Sequence, residues 1–106
     1  MNNTIQIAIA DDHAMFRQGI ANLLPARFKV VIQANDGTEL LEMLAAANKI
    51  PDICIVDIHM KPMNGYETLK AIKRFYPDTR ALALTAFGNE FTVISAMKAG
   101  ADAYLN

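Results

Sequence analysis

The amino-acid sequence predicts an α/β fold built on a doubly wound, five-stranded parallel sheet. Two observations support this prediction. Five short apolar runs alternate with four segments in which apolar residues recur at helical spacing. In addition, residues 53–56 are apolar without interruption and lead directly into Asp57, which is typical of a strand buried on both faces. Parallel strands joined by helices through right-handed crossovers account for both observations.

Each strand is predicted from a short apolar run that is bounded by turn residues or by acids. The five runs occupy residues 5–10, 28–33, 53–57, 80–85 and 103–105. A sheet of this kind needs helices on both faces, and no helical segment follows the fifth run. We therefore expect the last helix to be missing, the chain to be truncated in or just after strand five, and the uncovered sheet to favour association.

Four helices are predicted between the strands from caps and apolar periodicity. Asp12 is the expected N-cap of the first, while Asp36 and Asn64, each followed three residues later by glutamate, mark the next two starts. The fourth helix is expected to begin at Asn89 and to end at Gly100. The residues expected to face the sheet are Phe16, Ile20, Leu23 and Leu24; Leu40, Leu41, Leu44 and Ala47; Leu69, Ile72 and Tyr76; and Phe91, Ile94 and Met97.

Composition limits the function classes. The 106 residues suffice for one domain with one core. The net charge of −1 gives no reason to expect that this domain binds nucleic acid directly. No apolar run approaches the ~20 residues needed to cross a bilayer, and residues 1–4 contain no leader, so we expect no membrane contact and a cytoplasmic location. Cys54 is the single cysteine and is expected to be a small core residue.

Acidic and hydroxyl side chains follow three of the predicted strands. Asp11 and Asp12 end the first strand, Asp57 ends the third and Thr85 ends the fourth. In the flavodoxin-like order 2-1-3-4-5 these strands are neighbours about 4.8 Å apart, so the carboxylates meet in one pocket. Three such acids repel one another and raise each other's pKa values. A divalent cation relieves that repulsion, and Mg²⁺ suits such a site best.

This pocket predicts phosphoryl chemistry. A carboxylate such as Asp57 beside Mg²⁺ can attack a phosphoryl group and form an acyl phosphate. Thr85 could then donate its hydroxyl to a phosphoryl oxygen, a bond that exists only in the phosphorylated form. Such a differential contact is what a conformational switch requires.

With these residues the chain resembles a receiver domain of the response regulators of two-component signalling. The resemblance covers the whole chain from the first strand, and the opening of the sequence is most similar to regulators with a C-terminal helix-turn-helix DNA-binding domain. The residues that carry it are Asp11-Asp12, Asp57, Met60, Met63, Gly65, Thr85-Ala86, Ala99-Gly100-Ala101, Tyr104 and the segments 9–13 and 16–19.

The resemblance implies a role for each matching residue. Asp57 would accept a phosphoryl group from a sensor histidine kinase. Asp12 would bind Mg²⁺ directly, Asp11 partly through water, and Asp57 and the backbone carbonyl of His59 would complete the protein ligands. Thr85 would be the switch hydroxyl, and Tyr104 the aromatic residue that turns inward on activation.

The resemblance also implies partners. The output would be transcription through a domain not present here, so the receiver itself would not contact DNA. A homodimer would form through the surface of the fourth helix and fifth strand. Two departures from the family pattern are visible: Lys61 stands where a proline is usual, with Pro62 after it, and the family's phosphate-binding lysine would follow Asn106.

Three alternative functions are considered from the same residues. Aspartyl-phosphate phosphohydrolases carry a second acid two residues after the nucleophile, where this chain has His59, so we expect a protein that is not an enzyme. A receiver-like interaction module is disfavoured by the intact acids but favoured by the absent lysine. A flavin site is disfavoured because Asp11 and Asp12 stand where an anionic phosphate would bind.

Two groups of side chains are interpreted most simply as solvated. His13 and His59 are interpreted as solvated loop residues, since a pocket of carboxylates suits a hard cation better than a transition metal. Lys70, Lys73 and Arg74 are expected to form a solvated outer face of the third helix.

Overall fold

The computed structural model describes residues 4–61, 63–85 and 90–105. Within these ranges five strands alternate with four helices. The strands are β1 (Ile5–Ala10), β2 (Phe28–Ala34), β3 (Ile53–Asp57), β4 (Arg80–Leu84) and β5 (Ala103–Leu105). The helices are α1 (Ala14–Leu23), α2 (Gly37–Ala46), α3 (Gly65–Phe75) and α4 (Glu90–Ala99). The predicted order of elements is confirmed. The expected start of the fourth helix at Asn89 and the side chain of Phe91 lie outside the described residues.

All neighbouring strands of the sheet are parallel, and their order is β2-β1-β3-β4-β5, as predicted. In this order β3 is central, with β1 and β4 on either side. Ala10 pairs with Val56 and Asp57 pairs with Leu84, so the carboxyl ends of the three strands lie level at one edge of the sheet. A site at this edge is therefore shared by three strands that are far apart in sequence.

Most of the core lies between the sheet and helices α2, α3 and α4. Leu40, Leu44, Leu69 and Ile72 are fully buried there, as their helical spacing predicts. Cys54 belongs to the same cluster, and burial raises the pKa of its thiol to about 12, against a smaller lowering by the charge of Lys73. Cys54 is thus the predicted core residue and not a reactive thiol.

Helix α1 departs from its prediction. Its N-cap is His13, which makes no side-chain cap bond among the described residues, so the expectation that Asp12 caps it is wrong. None of the helix's ten residues is buried, and Phe16 and Leu23 are 51% and 85% exposed. Only Ile20, together with Leu24 just after the helix, packs against the smaller core cluster on this side of the sheet. The inward stripe is rotated away from Phe16 and Leu23, so these residues face water.

Helix α4 is also rotated relative to its prediction. Ile94 and Met97 were expected to face inward, but each is 47% exposed. Thr92, Ala96 and Ala99 are buried in their place. Small side chains let the helix approach the sheet closely, and the large apolar residues are consequently left on the opposite side. The positive φ of 118° at Gly100 ends the helix as predicted.

The side chain of Lys73 is not on a solvated face of α3, as was expected, but is half buried. Its Nζ lies 2.6 Å from Asp102 Oδ2 and 2.9 Å from the carbonyl oxygen of Thr79. Asp102 Oδ2 also accepts a 2.8 Å hydrogen bond from the backbone N–H of Ala81. This half-buried pair joins α3 to the segments that precede β4 and β5.

Among the helices of the described ranges, none is long and apolar enough to span a membrane.

Candidate functional site

Three carboxylates meet at the carboxyl edge of the sheet. Asp11 follows β1 and continues its ladder, because its backbone N–H donates to the carbonyl oxygen of Ala34 at 3.1 Å. Asp57 is the last residue of β3. Asp11 and Asp57 are only 2% and 8% exposed, whereas Asp12 faces solvent. One ligand atom from each of Asp11, Asp12, Asp57 and His13 lies within 4.8 Å of the others. The structure therefore brings the three predicted acids together.

His13 is a member of this cluster that sequence reasoning missed. Its Nδ1 lies 2.9 Å from Asp12 Oδ1 and 3.3 Å from Asp11 Oδ1, and its backbone N–H donates to Asp11 Oδ1 at 2.8 Å. His13 is solvated as expected, with its side chain 76% exposed, but its contacts with the two acids were not predicted. The signal was available in the sequence, because an aspartate often accepts a hydrogen bond from the backbone two residues later.

The environment of Asp57 favours its protonated form. Burial is the largest effect that raises its pKa, and the negative charges of Asp11 and Asp12 raise it further. The backbone N–H of His59, which donates to Asp57 Oδ1 at 3.0 Å, and the charge of the His59 ring act in the opposite direction. The pKa of Asp57 is nevertheless higher than that of an ordinary aspartate. A bound cation would reverse this, since it would favour the ionised carboxylate.

The donor set fits a hard divalent cation. Three carboxylates supply oxygen ligands at one exposed edge, and their mutual repulsion is what a cation would relieve. The nitrogen of His13 is the one softer donor in the cluster. These four residues could therefore hold a cation.

Thr85 lies one strand away from Asp57. It directly follows β4, is buried, and its backbone N–H donates to the carbonyl oxygen of Leu105 at 3.1 Å. The ring of His59, expected to be a solvated side chain, lies with Nε2 3.2 Å from Thr85 Oγ1. His59 is exposed, as expected of a solvated loop residue, but its contact with Thr85 was not predicted. Through this contact the loop after β3 is linked to the threonine hydroxyl.

Tyr104 occupies the middle of β5. Its backbone pairs with Ala83, and its ring is half buried against the larger core cluster. Within the part of the chain that the structure describes, its buried hydroxyl has no hydrogen-bond partner. An unbonded buried hydroxyl is unfavourable, so this position of the side chain is held by the packing of its ring and not by a bond of its hydroxyl to a described residue.

Gly65 fixes the loop after Asp57. Its backbone N–H donates to the carbonyl oxygen of Ile58 at 3.0 Å. A Cβ at this position would lie 2.5 Å from both the carbonyl oxygen of Asp57 and the Cα of Ile58. Since both are backbone atoms that cannot move aside, only glycine lets α3 start this close to the acid.

Comparison with known proteins identifies relatives for nearly the whole chain. Residues 7–106 match the family model described as the response regulator receiver domain. The transcriptional regulatory protein DegU of Brevibacillus brevis is 37% identical over 105 residues, which make up 97% of this chain and 44% of that relative. The chain spans about half the length of the curated relatives it matches.

Two solved structures show the same fold. A two-component response regulator of the LuxR family from Aurantimonas sp. SI85-9A1 has a TM-score of 0.86 and 28% identity, covering 95% of this chain and 72% of that one. A response regulator protein from Burkholderia pseudomallei, solved with a phosphorylated aspartic acid, a calcium ion and citrate, has a TM-score of 0.83 and 32% identity, covering 95% and 58%.

Proposed function

The chain belongs to the response regulator receiver domain family, and from this membership we propose that it is a signalling switch controlled by phosphorylation of Asp57. A sensor histidine kinase supplies the phosphoryl group. A carboxylate oxygen of Asp57 attacks the phosphorus of a phosphohistidine, an O–P bond forms, and the P–N bond breaks with its electron pair left on the histidine nitrogen. The product is an acyl phosphate on the receiver.

The observation that carries this proposal is the meeting of Asp57 with Asp11 and Asp12 at the end of three adjacent strands. Asp12, Asp11, Asp57 and the backbone carbonyl of His59 would hold a Mg²⁺ ion. When bound, the ion neutralises charge on the transferring phosphoryl oxygens. Asp57 is the last residue of a buried strand and retains 8% exposure, so its backbone is fixed by the sheet while its carboxylate lies beside the exposed Asp12.

The switch acts through Thr85 and Tyr104. In the unphosphorylated chain the Thr85 hydroxyl lies 3.2 Å from His59 Nε2. A phosphoryl oxygen on Asp57 offers the hydroxyl a new, charged acceptor, and bonds to charged acceptors are stronger than neutral ones. Movement of Thr85 toward the phosphoryl group would open space beside β5 into which Tyr104 turns.

The partners follow from the family and the surface. A relative such as DegU is named as a transcriptional regulator, and this chain spans less than half of it. We therefore expect a cytoplasmic protein whose output is transcription, with DNA bound by a separate domain. Ile94, Met97 and Leu105 expose apolar surface on α4 and β5, where a homodimer would form.

Phosphorylation is tested by intact-mass measurement after incubation with Mg²⁺ and acetyl phosphate. A second sample carries one lysine added after Asn106, because the family uses a lysine at that position. The expected result is a gain of one phosphoryl group in the lysine-extended chain, lost in the Asp57→Asn variant and without Mg²⁺. Absence of any gain in both samples would contradict the proposal. Steady turnover of a phosphomonoester would instead favour a phosphohydrolase.

A further inference from the structure

The guanidinium of Arg17 joins the first helix to the ends of two strands. Its Nη1 donates to the carbonyl oxygens of Asp11 at 2.7 Å and Ala34 at 3.2 Å, and to Asn35 Oδ1 at 3.0 Å. Its Nε donates to Gln33 Oε1 at 3.2 Å. One side chain of α1 thus contacts the segment that follows β1 and the segment that ends β2.

Arg17 occupies a position on the inward side of α1, where a surface helix normally has an apolar residue. Arg17 lies on the same side of α1 as Ile20 and is half buried. None of the helix residues is fully buried, and its N-cap supplies no side-chain bond among the described residues. The end of α1 nearest the acids is therefore held by the hydrogen bonds of Arg17 and not by apolar packing.

The bond to Asp11 has a direct consequence for the acidic site. The carbonyl oxygen that Arg17 binds belongs to the peptide unit that links Asp11 to Asp12. Because a peptide unit is planar, fixing its oxygen fixes the direction in which the chain enters Asp12. The backbone N–H of Asp11 is fixed as well, since it donates to the carbonyl oxygen of Ala34, which Arg17 also binds.

We propose that Arg17 is a positioning residue for the cation site, holding the Asp11–Asp12 peptide in the orientation that binds a divalent cation. The inference rests on the proposed function, because it assumes that these acids bind Mg²⁺. Mg²⁺ requires nearly ideal octahedral geometry, and its affinity therefore depends on how rigidly the carboxylates are held. Arg17 contacts the backbone of the site, so its effect is exerted through the acids.

The test measures Mg²⁺ affinity by titration calorimetry at a temperature well below unfolding. Arg17→Gln is expected to weaken binding roughly 10- to 100-fold, the usual effect of removing a residue that orients metal ligands. Arg17→Lys keeps the charge but has a single donor nitrogen. Its Mg²⁺ affinity is expected to lie between those of the unmodified chain and Arg17→Gln. Arg27→Gln is the matched control, because it removes the same charge from an exposed arginine that lies over the Phe28 ring. It is expected to bind Mg²⁺ within twofold of the unmodified chain.

A second measurement needs neither metal nor activity. The backbone N–H of His13 donates to Asp11 Oδ1, so its hydrogen exchange reports the order of the acidic segment. Arg17→Gln should accelerate exchange at His13 and leave amides within β4 unchanged. If Arg17→Gln fails to fold, Arg17→Lys provides both measurements.

The outcomes separate the two proposals. Absence of Mg²⁺ binding by the unmodified chain overturns the cation site itself. Normal binding by the unmodified chain and equal affinity in Arg17→Gln overturn only the positioning role. A lower melting temperature with unchanged Mg²⁺ affinity and unchanged His13 exchange also overturns it, since that result describes a merely structural contact.

Discussion

The surroundings of Asp57 impose a penalty on folding. Its carboxylate is nearly buried and lies beside two other acids, so the folded chain holds the charged form less favourably than water does. Among the described residues, the backbone N–H and the ring charge of His59 oppose this effect. The same environment makes the site receptive to a cation. Without a bound cation, the ionised Asp57 therefore makes the protein less stable than its packing alone would allow.

We expect Asp57→Asn to stabilise the metal-free chain at neutral pH by about 1 kcal/mol. An acid whose folded pKa is raised destabilises the protein above that pKa, and the destabilisation disappears as pH falls toward the unfolded value. The difference between the variant and the unmodified chain should therefore shrink as the solution is acidified. Urea unfolding from pH 4 to pH 8 measures it. Glu42→Gln, on the exposed side of α2, is the control and should change little. If Asp57→Asn is less stable than the unmodified chain at neutral pH, the prediction is wrong.

At the scale of the elements, the sequence predicts strands and caps better than helix faces. The bonds from the backbone N–H of Glu39 to Asp36 and of Glu67 to Asn64 form as expected, because caps depend on residues three apart. The inward faces of α1 and α4 were predicted wrongly, since the side that is buried depends on what packs above each helix. Periodicity identifies an apolar stripe but does not rank it against a stripe of small residues such as Ala96 and Ala99.

The bridge between α3 and the segment before β5 makes stability depend on acidity. Burial alone would raise the pKa of Asp102, but the hydrogen bonds from Lys73 and Ala81 and the charges of Lys73 and Arg80 hold it below its ordinary value. An acid with a lowered folded pKa contributes stability above its unfolded pKa of about 3.9 and loses it as pH falls through the folded pKa.

We expect Asp102→Asn to lower the free energy of unfolding by about 1 kcal/mol at pH 7, since the Lys73–Asp102 pair is partly exposed. Below both pKa values the aspartic acid is neutral in either state, so the two unfolding curves should converge near pH 2. Denaturant titrations at pH 2, 4 and 7 provide the measurement. Asp78→Asn, in an exposed turn, should show no such convergence. A constant difference across this range would contradict the linkage.

For the whole molecule, the order of the strands determined how much of the site could be predicted. Asp11, Asp57 and Thr85 become neighbours only in the order 2-1-3-4-5, which spacing along the chain does not specify. The contacts of Arg17 with β2 and of Lys73 with Asp102 were not predicted, because each joins residues that meet only through tertiary packing. Residue types therefore indicated the candidate site residues, while the side chains that hold them in place could be identified only from the fold.

The two faces of the sheet are covered unequally, and this leads to the last prediction. Of the described helices, α1 alone contributes residues to the smaller core cluster, where Leu82 and Leu84 are only partly buried. Leu105, on the edge strand β5, pairs with Leu84 of β4 and is 45% exposed. Exposed apolar residues on an edge strand favour pairing with a second chain.

We therefore expect this 106-residue chain to associate as its concentration rises. Leu105→Lys should reduce the association, because a charged side chain on an edge strand opposes pairing and has to be desolvated at the contact. Leu23→Lys is the matched control: Leu23 is 85% exposed on α1, so an equal change of charge and hydrophobicity there should leave association unchanged. Light scattering over a concentration series distinguishes the two variants. An unmodified chain that stays monomeric throughout, or equal effects of both substitutions, would show that the open side of the sheet does not drive association.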